Sequence, residues 1–82
     1  MNDIVRTPPH IGAAIRRRRK LKGLTQAQLG EKTKLRQATI SQLEAGEGGT
    51  QIRTLTDVLA VLHLALVIQD RSTSPYEIED LF

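Results

Sequence analysis

Eighty-two residues with no cysteine, no Trp, one Phe and one Tyr leave room for one small domain with an aliphatic core, and they exclude disulfides and thiolate zinc sites. The net charge of +3 hides a split: residues 1–36 carry ten Lys or Arg against two acids, a local +8, while residues 37–82 carry two Arg against seven acids, a local −5. The first part suits a polyanionic partner and the last part does not.

A domain this small buries only about 60–65% of its unfolded surface, so pairing with a second copy would add needed stability. The opening "MNDIVRTPPH" has no apolar stretch of the kind a signal peptide requires. No apolar run approaches the roughly 18 residues of a membrane span. These features lead to the expectation of a soluble, cytoplasmic protein.

Residues 1–6 read as a flexible N-terminus. Thr7 can cap a first helix, and Pro8 and Pro9 are tolerated in its first turn, where a missing N–H costs nothing. Ile11, Ala14, Ile15 and Arg18 then recur at helical spacing, which predicts a helix over 8–22 that stops at Gly23. Thr25 caps a short second helix over 26–33, with Leu24 placed to pack on Leu29. Lys34, Leu35 and Arg36 form a tight turn into a third helix over 37–45, which Gly46 ends in a left-handed cap. The fourth helix is the most apolar, with Ile52, Leu55, Val58, Leu59 and Leu62 expected on one face.

Past His63 the period changes. "LALVIQD" is short and β-branched, with Leu64, Leu66 and Ile68 alternating to one side, so residues 64–71 read as a strand. A lone strand has unpaired backbone groups, and the simplest remedy is the same strand of a second chain, which makes these three residues the expected dimerisation contacts. The alternative is a continuation of the fourth helix. Residues 72–82 are polar, acidic and interrupted by Pro75, which predicts a disordered tail. Its Tyr76, Ile78, Leu81 and Phe82 are more than a solubilising tail needs and suit a partner-binding role.

The third helix has an unusual open side. Behind it Ile40 and Leu43 can share a buried face, and in front stand Gln37, Ala38, Thr39, Ser41 and Gln42, where an ordinary surface helix carries Glu and Lys. Two short helices joined by a three-residue turn, braced before and after, make a helix-turn-helix unit over residues 7–63. In such a unit the second helix enters the DNA major groove and its first residues meet base edges. Gln37 can bond bidentately to an adenine, while Ala38 and the Thr39 methyl can touch a thymine methyl. Arg36 can reach a guanine or a phosphate, and Ser41 and Gln42 lie one turn further on. Gln26 and Gln28 start the second helix, where amides meet phosphate. Lys32 and Lys34 supply non-specific attraction.

The stretch "LTQAQLGEKTKLRQATISQLEAG" resembles the lambda-repressor, Cro and Xre type of helix-turn-helix, through Thr25, Gln26, Leu29, Gln37, Thr39, Ile40, Ser41, Leu43 and Glu44. Within that superfamily it is similar to HipB-like antitoxins, in the Gln-Ala-Thr-Ile-Ser run, the strand after the fourth helix and the tail ending in Phe82. The resemblance implies an all-α, four- to five-helix lambda-repressor-like domain, a C-terminal β-strand paired across a homodimer and a flexible acidic tail. It also implies a palindromic double-stranded DNA operator in the protein's own operon, a HipA-like serine/threonine kinase toxin as partner, and a salt bridge of Arg19 with Glu44. The sequence departs from the pattern at Lys34, where Gly is usual, at Gly30, where Ala is usual, and at Thr33, where an aliphatic residue is common.

No metal, cofactor or enzyme activity is expected. His10 and His63 lie far apart without carboxylates at ligand spacing, Ser41 has no base beside it, and the glycines at 46, 48 and 49 lack the Gly-Lys-Ser/Thr of a phosphate loop. Two alternatives to a repressor with an antitoxin role stay open. One is a free-standing transcriptional regulator without a toxin, and the other is an interaction module that has kept the fold and lost DNA binding.

Overall fold

The computed structural model describes residues 4–71. Four helices follow in order: α1 (Pro8–Leu21), α2 (Gln26–Thr33), α3 (Gln37–Glu44) and α4 (Ile52–Val61). The expected tail with Tyr76, Ile78, Leu81 and Phe82, and residues 1–3, lie outside the described residues.

Local capping sets the first two starts. The Thr7 hydroxyl accepts from the His10 N–H at 3.3 Å, with both prolines in the first turn of α1. Thr25 begins α2 with a full capping box: its Oγ1 accepts from the Gln28 N–H at 3.1 Å, and Gln28 Oε1 accepts from the Thr25 N–H at 2.8 Å. α3 and α4 start at Arg36 and Gln51, neither of which caps through its side chain.

All four helices end the same way, in a Schellman pair with one residue in the left-handed region. Gly46 is that residue for α3, its N–H donating to Leu43 O and the next N–H, of Glu47, donating to Gln42 O, both at 3.1 Å. Gly23 closes α1 in the same manner. The other two ends use side-chain-bearing residues: Lys34 (φ 60°) closes α2 and His63 (φ 57°) closes α4. The turn before α3 therefore keeps the left-handed geometry despite lacking the usual glycine.

Ile15, Leu29, Ile40, Val58 and Leu62 are fully buried, Leu43 and Leu59 nearly so, and Ile11, Leu24, Leu35, Leu55, Val61 and Leu64 pack around them. Two glycines let the helices come this close. A Cβ at Gly12 would collide with the Leu43 and Glu44 carbonyls at the end of α3, and one at Gly30 would lie 2.6 Å from Leu35 O in the turn. Gly30 thus matches the turn it packs on. The Thr33 hydroxyl is satisfied by donating to Leu29 O at 2.8 Å, which lets a polar residue occupy an aliphatic position.

Two expectations differ from the structure. Ile52 does not join the core face of α4; it is 74% exposed, because the first turn has no neighbour over it among the described residues. The helical period sets direction, but burial also needs something to meet. Residues 64–71 form no strand. A strand exists only through its ladder, and no other segment among the described residues offers an edge. The helix does not continue either, because α4 stops at Val61 and His63 turns the chain out of helical geometry.

Candidate nucleic-acid interface

The α3 sequence divides by period into two faces. Ile40 is fully buried, Leu43 and Glu44 nearly so, and all three point into the bundle. Gln37, Ala38, Ser41 and Gln42 are exposed and Thr39 is half-buried. Arg36 and Lys34 flank the helix start, exposed, and Lys32 is exposed on α2. The open face of α3 therefore offers two amides, two hydroxyls and the methyls of Ala38 and Thr39, with cations at its start and no carboxylate.

What holds this surface is a buried ion pair. Arg19 Nε donates to Glu44 Oε2 at 2.6 Å and Nη2 donates to Glu44 Oε1 at 2.9 Å, a two-pronged contact that planar guanidinium geometry favours. Arg19 Nη1 donates to the Leu24 carbonyl at 2.9 Å. The Arg19 guanidinium is held above its ordinary pKa, first by its hydrogen bond to Glu44 and then by the carboxylate's charge, against the opposing effect of burial. The pair locks α1 to the last residue of α3 and to the entry of α2, so α3 cannot rock without breaking it. One side left alone would be a buried charge.

The start of α2 is less open than the sequence suggests. Gln28 is exposed, but its Oε1 serves the capping box. Gln26 is half-buried, and its Nε2 donates to Glu44 Oε1 at 3.2 Å. The Gln28 role had a readable signal, Thr25 followed three residues later by Gln. The Gln26 contact had none, because it joins positions 18 residues apart.

Three further features escaped the sequence. Arg18 Nε donates to Leu62 O at 3.0 Å, and Lys22 Nζ lies 2.9 Å from His63 Nδ1, so the basic end of α1 ties down the end of α4. The hollow beside Gln42 and Thr39 is lined by Glu47, Gly48, Gly49 and Thr50 of the loop and by Gln51 and Thr54 at the start of α4, which extends the polar surface past α3 and adds one carboxylate to it. Of the expected dimerisation residues, Leu64 is half-buried against the core, whereas Leu66 and Ile68 are exposed, as is Val67 between them. Among the described residues there is no group of His, Cys, Asp and Glu that could hold a metal, and no helix long and apolar enough to cross a membrane.

This fold and this face define an Xre-type helix-turn-helix protein: the helix-turn-helix family matches residues 15–68, and the chain belongs to that family. Solved structures named for HipB are similar to it over most of its length. A HipB-O4 20mer complex has a TM-score of 0.79 at 28% identity, over 87% of this chain and 100% of that one. The structure of a HipA-HipB-O2-O3 complex gives 0.78 at 28% identity, with the same coverage. The clp gene regulator ClgR from Corynebacterium glutamicum gives 0.62 at 31% identity, over 67% of this chain and 58% of that one. No protein of curated function matches the sequence.

Proposed function

We propose that this DNA-binding regulator is a homodimeric repressor of its own operon and the antitoxin of a HipA-like kinase toxin. The observation that carries the DNA half is the division of α3: Gln37, Ser41 and Gln42 stand open while Ile40, Leu43 and the Arg19–Glu44 pair fix the helix from behind. Gln37 reads an adenine edge, Ala38 and Thr39 meet thymine methyls, and Ser41 and Gln42 read or anchor one turn on. Arg36, Lys34 and the amides of Gln26 and Gln28 engage phosphates.

The dimer is supported by Leu66, Val67 and Ile68, an exposed apolar run that a second copy would cover by strand pairing. Two recognition helices related by a two-fold axis then read a palindrome. The toxin half is supported by the likeness to the HipA-HipB-O2-O3 complex and by the tail's Tyr76, Ile78, Leu81 and Phe82.

Footprinting on the DNA upstream of the gene, with salt titration on operator and random duplexes, tests the repressor. A palindromic footprint and a steep fall of affinity with salt are expected; equal affinity for both duplexes defeats the reading. Co-expressing the neighbouring kinase with the full chain, and with residues 72–82 removed, tests the antitoxin. The likeness to a clp gene regulator favours a second reading, a free-standing regulator, in which the tail's removal changes neither repression nor survival.

A further inference from the structure

We propose that Glu44 is a positioning residue for DNA recognition, acting through the amide of Gln26 at the start of α2. This rests on the DNA-binding reading above and extends that site from α3 to the start of α2.

One carboxylate gathers three of the helices. Glu44 Oε1 accepts from Arg19 Nη2 at 2.9 Å and from Gln26 Nε2 at 3.2 Å, while Oε2 accepts from Arg19 Nε at 2.6 Å. Three helices therefore meet at a single buried side chain: α1 through Arg19, α2 through Gln26 and α3 through Glu44 itself. An amide side chain can present oxygen or nitrogen by a half-turn. Beside a carboxylate the choice is made: oxygen toward oxygen would set acceptor against acceptor, so the –NH2 group turns inward. One amide hydrogen serves Glu44, and the other hydrogen and Oε1 keep a fixed direction.

That fixed amide is the first residue of α2, the turn whose backbone N–H groups and positive end favour a phosphate. A preset amide meets its partner without losing rotamer freedom on binding. Glu44 also sits at the end of the reading helix, so the same atom sets the α2 anchor and the α3 register. Its negative charge does not repel the DNA strongly, since Arg19 neutralises it at contact distance. A variant that removes the charge should therefore bind random DNA as well as or better than the parent and lose its preference for the operator.

The test is a double-mutant cycle with Gln26→Met, Glu44→Gln and both together, reading affinity for operator and for a random duplex. Thermal melting of each variant checks that it folds, and Glu44→Asp, which keeps the charge but draws it back, stands in if Glu44→Gln does not. Gln26→Met should lower the operator-to-random ratio about five- to tenfold with Glu44 present and less than twofold without it. Equal losses in both backgrounds overturn the proposal while leaving the operator reading intact. Failure of the parent chain to prefer any operator overturns both. The free protein gives an independent check by NMR: the Gln26 side-chain amide protons should be well dispersed and exchange slowly, and collapse toward random-coil shifts in Glu44→Gln and Glu44→Asp. An amide indifferent to position 44 also overturns it.

Discussion

Residues 37–42 and residues 66–68 are both largely exposed, yet they are open for opposite reasons. On α3 the open side chains are mostly polar, and Thr39, Ser41 and Gln42 each adjoin a buried residue, Ile40 or Leu43, that pins the helix. After α4 the open side chains are Leu66, Val67 and Ile68, the last 95% exposed, and only Leu64 ties the segment to the core. Water tolerates the first surface, which gains from a partner only when donors and acceptors match. Water penalises the second by about 25 cal/mol for each Å² of apolar area, which any apolar cover relieves. In the proposed reading the first surface serves discrimination and the second adhesion. The difference gives each a distinct expected partner, base-pair edges for one and a second copy of the chain for the other.

The largest effect should come from removing what pins the first surface. Arg19→Ala leaves the Glu44 carboxylate buried without its cation, and should cost about 3–5 kcal/mol in urea denaturation. Chain association through residues 66–68 should be the property least altered. Next, Ile68→Asp attacks adhesion alone. Losing one covered side chain should weaken dimerisation by about 1.5–3 kcal/mol in sedimentation equilibrium, with the melting of the helical body little changed at high protein concentration. An unaltered dimer would mean that the copies meet elsewhere.

Gln37→Ala makes the reciprocal attack on discrimination. Operator binding should weaken by about 1–3 kcal/mol, with specificity relaxed at one base pair and stability nearly untouched, since the side chain is exposed. Smaller still is Lys34→Gly. Relieving the left-handed strain should raise stability by about 0.5–1 kcal/mol, read from the denaturation midpoint, while removing one phosphate-seeking cation. His63→Gly should gain less, because it also gives up the contact with Lys22.

From neutral to basic pH the response of the Arg19 clasp should be flat. Its folded pKa is raised, so its contribution is complete below the ordinary guanidinium value and is lost only as pH rises through the higher folded value. The stability difference between the parent and Arg19→Ala should thus be the same at about pH 7 and about pH 10.

Where a residue's fate depended on its near neighbours, the sequence was a good guide. Thr25 and Thr7 cap as their types suggest, and the bounds of α2 coincide with the expected ones because the cap and the turn both lie within a few residues. The open face of α3 was visible as a pattern with the wrong composition for an ordinary surface. Ile52 shows where such reasoning stops: period assigned it to the core, but no neighbour reached it. The strand shows the same limit from another side, since β-branched alternation states a preference that only a second edge can satisfy. Gln26 was legible as an amide at the start of a helix, but not as one engaged by Glu44.

By itself the sequence determined the Thr7 and Thr25 caps, the glycine ends of α1 and α3, the tight turn and the polar composition of the open face of α3, because each is governed by backbone and side-chain chemistry within one or two turns. The Arg19–Glu44 pair was implied by the family resemblance; tertiary structure decided that the same carboxylate holds Gln26, why Gly12 and Gly30 must lack a side chain, and which apolar residues remain uncovered. Those outcomes depend on distances between segments remote along the chain, and such distances are set only when the whole bundle closes around its core.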